Sequence, residues 1–177
     1  MGNLQRFSAS LDKTSRIVTA GSALVLAGAI YTLFNARERL GLGTWIIAGL
    51  VFGSIFAVWL FRPTNYTITE DGLLIGRPIG SRRLLLKDIA SVEAVSSSAL
   101  GFQLRVFGSG GFGGYFGVFR PSGLGRSIDY YVTNMSNLLL IRRRTGRELL
   151  ISPDDPVGFE VALRSRLSDG PRDRNGE

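Results

Sequence analysis

The chain has no cysteine and no histidine. Without cysteine there are no disulfides, thiolate metal sites or thiol nucleophiles. Without histidine the commonest general base and metal ligand are gone, and with them every Ser-His-Asp arrangement. Acidic residues are also few: 14 Asp and Glu against 21 Lys and Arg, a net charge of +7. Carboxylate-only chemistry survives this filter, but the acids of the second part of the chain are mostly isolated. The composition argues against an enzyme, and no cofactor or small-molecule substrate is expected. It argues against nucleic acid as well. Residues 1–61 hold five basic and two acidic side chains (+3) and residues 62–177 hold 16 and 12 (+4), a mild surplus rather than a field of one sign.

What is present in quantity is uncharged apolar sequence. Residues 17–34 and 44–61 contain no charged side chain, and only residues 35–43 separate them. Each run would form a helix about 27 Å long, close to the hydrocarbon thickness of a bilayer. The pair predicts a two-helix membrane hairpin over residues 17–61, preceded by a cytoplasmic segment, 1–16. Small residues recur every fourth position, at Thr19, Ala23 and Ala27 and at Gly49, Gly53 and Ala57, which predicts close approach of the two helices. Tyr31 and Trp45 fall near one end of the hairpin and Trp59 near the other, as interfacial aromatics do. Arg6, Lys13 and Arg16 precede the first run; Arg62, Arg77, Arg82 and Arg83 follow the second; the connecting loop has Arg37 and Arg39 with Glu38. This bias places both termini in the cytoplasm of a multi-pass inner-membrane protein. A cleaved leader ending at Ala27-Gly28-Ala29 is the rival, but the apolar run continues to Phe34 and a second run follows.

Residues 62–65 make a short linker that Pro63 stiffens. It reaches about 13 Å at most, so the domain behind it, residues 62–168, must lie against the membrane surface. From Tyr66 the pattern is β: residues 66–69 alternate, Glu70-Asp71-Gly72 turns, and 73–75 return. Residues 83–86, 89–95, 102–107, 128–133, 138–143 and 148–151 continue the series. In residues 102–107, Phe102, Leu104 and Val106 share one face and Gln103 and Arg105 the other. The last element changes period. Asp155 suits an N-cap and Pro156 a first helical position, and Phe159, Ala162, Leu163 and Leu167 make one apolar stripe. The expectation is an all-β/α+β domain of about seven short antiparallel strands capped by one C-terminal helix. Residues 169–177, polar and rich in charge, are expected to be disordered.

The segment Tyr66-Thr67-Ile68-Thr69-Glu70-Asp71-Gly72-Leu73, with Leu86-Lys87-Asp88-Ile89-Ala90-Ser91-Val92 after it, resembles the opening of bacterial PH-like domains. Residues 108–117, Tyr131-Val132-Thr133-Asn134, and Ile151-Ser152-Pro153-Asp154-Asp155-Pro156 with Phe159 are similar to a membrane-anchored branch of that group. The resemblance covers nearly all of residues 66–167. It implies a bent sheet or open barrel closed by the terminal helix, and it implies no enzymatic activity. Eukaryotic PH domains that bind phosphoinositides use basic residues around the first hairpin. The matching turn here, Glu70-Asp71-Gly72, is acidic, which speaks against selective phosphoinositide binding.

Three clusters stand out as sites. Residues 108–113 match G-x-G-x-x-G, but a dinucleotide fingerprint must open a helix, and Tyr115, Phe116, Val118 and Phe119 follow instead. The glycines predict a mobile or tightly turned loop, and Phe112, Tyr115 and Phe116 are candidates for contact with the membrane or a partner. Arg142, Arg143, Arg144 and Arg147 surround the Thr145-Gly146 turn, and Arg82, Arg83 and Lys87 form a second basic patch. Either patch would meet anionic headgroups or remain a solvated tip. The reading that follows is a non-enzymatic membrane protein presenting a PH-like module to a protein partner or to copies of itself, with the bilayer as a further partner. A lipid sensor acting through the Arg clusters is the alternative. An enzyme using Asp129 or the pair Asp154 and Asp155 is a distant third, since acids beside a helix N-terminus have a structural reason to be there.

Overall fold

A computed structural model of the chain describes residues 4–39 and 41–168; the tail expected to be disordered lies outside them. Two long apolar helices come first, α1 (Lys13–Asn35) and α2 (Leu42–Leu60). The Asp12 carboxylate caps α1, accepting from the Ser15 N–H at 2.6 Å. A 3-10 turn, Arg37–Arg39, and Gly41 carry the chain into α2. Both helices are long and apolar enough to cross a membrane, and neither buries its apolar window inside the molecule. Leu24, Val25 and Leu50 are 70–75% exposed, a surface that water does not favour.

The close helix–helix seam expected from the small residues is not there. A Cβ on Gly21, Gly28, Gly49 or Gly53 would meet nothing within 4 Å. Of the small residues on α1, Thr19 is engaged by the β-domain: the Gly113 N–H donates to Thr19 Oγ1 at 3.0 Å.

The β-domain has two sheets. The first contains β1 (Gln5–Ser8), β2 (Asn65–Ile68), β3 (Gly72–Gly76) and β4 (Ser81–Leu85), in that order and all antiparallel. β1 comes from the segment before α1, so the apolar hairpin is an excursion between two neighbouring strands. The second sheet contains β5 (Ile89–Val95), β6 (Gln103–Gly111), β7 (Gly114–Pro121), β8 (Ile128–Val132), β9 (Leu138–Arg143) and β10 (Leu149–Ile151). Its order is β5-β9-β10-β8-β7-β6. The described residues thus hold ten strands rather than about seven. One pair is parallel: the β9–β10 turn drops β10 between β9 and β8, where it must run with β8. A short helix, α3 (Ser97–Leu100), links β5 to β6, and α4 (Pro156–Ser168) ends the described chain. Asp155 caps α4 as expected, accepting from the Gly158 N–H at 2.9 Å.

The main core lies between the sheets, with Tyr66, Ile68, Leu73 and Ile75 facing Leu139, Ile141, Leu149 and Ile151. Phe159 and Leu163 of α4 close one side, and Phe7 of β1 meets Phe159 edge to face at 5.1 Å. A second cluster covers the other face of the larger sheet, built from Ile128, Tyr130, Val132, Leu140 and Leu150 under Phe119 and Leu100. β8, β10 and residues 138–141 of β9 are therefore buried on both faces, which is why, apart from Asp129, they are apolar without alternation. Tyr66 bolts the sheets together: its hydroxyl donates to the Tyr131 carbonyl at 2.6 Å and accepts from the Ser152 N–H at 3.2 Å. Burial pushes its phenol up to about 12.

Candidate functional site: the root of the apolar hairpin

The two basic patches meet each other on the acids of the domain. Arg82 donates to Asp129 at 2.9 Å and to the Tyr131 hydroxyl at 3.0 Å, and Arg147 donates to the other Asp129 oxygen at 2.6 Å. Asp129 itself is 4% exposed. Arg142 holds Glu93 at 2.6 Å and Glu148 at 3.3 Å, and Arg83 holds Asp71 at 2.9 Å. Arg143 reaches the Arg147 carbonyl at 3.4 Å. Arg144 and Lys87 are exposed and make no ion pair among the described residues. This turn also lies away from the helices. The β8–β9 turn touches the start of α1, and β9 runs from there to Arg143, about 17 Å at the rise of a strand.

The glycine run is tightly turned rather than mobile. It forms the hairpin β6–β7, closed at Gly111 and Gly114 around Phe112 and Gly113. Gly108 and Gly117 face each other with φ of +113° and +120°. A Cβ on either would fall on the carbonyl oxygen opposite, of Phe116 or Phe107, so the glycines let two strands approach in a conformation other residues avoid. Of the three aromatics proposed for membrane or partner contact, Phe116 is buried opposite Tyr131. Tyr115 is half-buried, and burial, with the Asp12 carboxylate nearby, holds its phenol above the usual range. Phe112 faces the helices beside Val18, Gly21 and Ser22, and Tyr115 lies by Asp12 and Ser15 at the start of α1. The exposed apolar residues are instead Leu104, Val106 and Phe107 on β6 and Phe102 just before it. A bulge between Arg105 and Phe107 interrupts the ladder there, and nothing in the spacing announced that β6 would be an edge.

At the hairpin root the charges are differently placed. The Arg62 guanidinium lies over the Trp59 ring at 4.8 Å and that of Arg77 over Phe61 at 5.6 Å. Arg16 and Arg62, with Ser10, Pro63 and Thr64, line a recess of about 450 Å³ between the two links. Among the described residues none of Arg6, Lys13, Arg16, Arg62 or Arg77 is ion-paired. The sequence marked these cations only as determinants of orientation. The root is held rigidly: the Asp12 N–H donates to the Thr133 carbonyl at 3.0 Å, the Asp12 carboxylate accepts from the Met135 N–H at 3.3 Å, and Asp154 accepts from the Ser10 N–H and hydroxyl at 2.8 and 2.7 Å.

A family model described as bacterial PH domain matches residues 64–167. The chain belongs to that family. No curated protein and no solved structure matches it. In this chain the PH domain gains a strand from outside the matched span, since β1 precedes the hairpin.

The carboxylates of the PH domain that sequence alone left open to catalysis all have structural partners. Asp129 sits between Arg82 and Arg147, Asp154 holds Ser10, and Asp155 caps α4. Among the described residues no group of three acidic side chains is placed to hold a metal ion. The first hairpin keeps its acid as well, with Asp71 bound to Arg83. What the root offers chemically is a set of cations and hydroxyls able to receive an anion.

Proposed function

We propose that the chain is a non-enzymatic membrane protein. It holds a PH domain on the cytoplasmic face of a bacterial-type inner membrane as an interaction module, for a protein partner or a second copy. PH domains generally mediate lipid or protein interactions. The pairing of Ser8 with Asn65 carries the reading. The chain leaves β1 and returns to β2 about 5 Å away, so whatever lies between must end on the side where it began. Two apolar helices in succession meet that condition and one would not. The unpaired cations of the root are on this same side, as expected where anionic headgroups lie. Asp129, Asp154 and Asp155, the acids the sequence offered for catalysis, are each engaged in a structural contact, which supports the non-enzymatic reading, and the ion pairs of Arg82, Arg142 and Arg147 count against a lipid sensor built on those clusters.

Because the chain has no cysteine, single-cysteine labelling in sealed membranes tests this cleanly. A membrane-impermeant maleimide should reach Gly41→Cys only from outside and Arg144→Cys only from the cytoplasmic side. Labelling of both from one side would overturn the hairpin. Crosslinking in native membranes then reports the module's role: adducts to itself or to one protein support it, and a chain that stays single removes it.

A further inference from the structure

β6 is the outermost strand of the larger sheet, and it does not look like an edge meant for water. Phe102 is 75% exposed, Leu104 53%, Val106 59% and Phe107 77%. Soluble domains blunt such edges with charge or cover them, and Arg105 is the only charged residue of β6. The strand lies beside the apolar helices. A Cβ on Gly111 would touch Val18 at 3.4 Å. A groove of about 680 Å³ between β6 and both helices is lined by Val18, Val25, Leu26, Ile55 and Val58, with Arg105 and Ser109 on the strand side.

We infer that β6 is itself a membrane-contact strand: its outward side chains Leu104, Val106 and Phe107, with Phe102 just before it, enter the cytoplasmic leaflet beside α1. This rests on the reading that α1 and α2 span the bilayer. The stretch of α1 that lines the groove is apolar and exposed, so a leaflet that surrounds it must also meet the strand next to it. Hydrocarbon cannot satisfy the free amides of an edge strand. The strand therefore lies at interfacial depth, where apolar side chains penetrate about 5–10 Å while headgroups and water reach the backbone along the groove past Arg105 and Ser109. Arg105, with its long stem, returns its charge to the phosphate layer.

A second copy's strand is the other occupant such an edge invites. The bulge at Val106 speaks against it, because bulges twist an edge away from pairing.

The test uses the full chain reconstituted in bilayers, with an environment-sensitive fluorophore on Leu104→Cys or Phe107→Cys. Leu24→Cys in α1 and Arg144→Cys on the far turn are the references. All four positions are exposed, so the labels do not disturb the core. The inference expects lipids brominated along their acyl chains to remove most of the emission at 104 and 107, as at 24, and little at 144. Labels at 104 and 107 that behave like 144, with 24 quenched, overturn the inference and leave the spanning helices intact. Failure to quench at 24 as well overturns both. Efficient disulfide crosslinking of Phe107→Cys between chains overturns it in favour of strand pairing.

Discussion

At the β9–β10 turn Arg142 and Arg147 end on carboxylates, whereas at the hairpin root Arg62 and Arg77 end on the faces of Trp59 and Phe61. The two regions are alike in composition and opposite in electrostatics. At the turn, each anchoring acid is supplied by another element: Glu93 from β5, Asp129 from β8. At the root neither Arg62 nor Arg77 forms an ion pair among the described residues, and an aromatic ring holds each of these guanidiniums without cancelling its charge. A run of arginines is thus a poor guide to a headgroup-binding surface until the acids around it have been placed. The scattered cations at the root are the better candidates, although no three of them are adjacent in sequence.

Breaking the turn gives the largest expected effect. Asp129→Ala would leave Arg82 and Arg147 without their shared partner beside a buried position. Since both arginines are partly exposed, at 38% and 53%, the loss should be about 2 kcal/mol rather than the larger cost of a fully buried pair. A thermal melt of the chain in detergent measures it, and an unchanged midpoint would mean the turn is a free cationic patch after all.

Tyr66 supplies an uncharged comparison for both ends. Its pKa is raised from 10 to about 12 by burial, so the folded state holds the proton more tightly than the unfolded one. Its stabilising contribution is complete below pH 10 and disappears as pH rises toward 12. Tyr66→Phe should cost about 1–2 kcal/mol at neutral pH, because the Tyr131 carbonyl and Ser152 N–H lose their partner, and should flatten the alkaline decline. Phenolate absorbance recorded alongside circular dichroism separates the two effects.

On the root side, Asp12→Ala removes both the cap of α1 and the tie to Met135. About 1 kcal/mol is expected from the cap, with faster hydrogen exchange at the start of α1 and at residues 133–135. Exchange confined to α1 would show that the helix and the domain are not locked together. The smallest effect sharpens the original contrast. Replacing Arg142, Arg143, Arg144 and Arg147 by Gln should barely change the anionic lipid that copurifies with the chain, whereas Arg16→Gln with Arg62→Gln should reduce it. Native mass spectrometry reads both, and the reverse order would return the headgroup contact to the β9–β10 turn.

Much of the fold was legible because it is local. Helical caps and apolar periods are set by residues within about one turn or one strand of each other, so both apolar helices, α4 and most strands could be read directly. β1 could not. It is four residues, Gln-Arg-Phe-Ser, and only its pairing with β2 makes it a strand. β7 was hidden by glycines that resemble a loop until Gly108 and Gly117 are seen to face each other. The site was less legible still, since the correct hairpin was singled out through Phe112, Tyr115 and Phe116 while the exposed apolar residues lie on its outer strand.

By itself, the sequence determined the absence of thiol and imidazole chemistry, the two bilayer-length apolar helices, the β-rich PH domain and its capped final helix. Each follows from composition or from spacing within a few residues. Only the tertiary structure decided that the N-terminal segment closes the first sheet, that Arg82 and Arg142 find acids 47 and 49 residues away, and that Phe116 is buried while Phe107 is exposed. Those outcomes depend on which strands become neighbours and which strand is left at an edge, and that is settled by packing the whole chain.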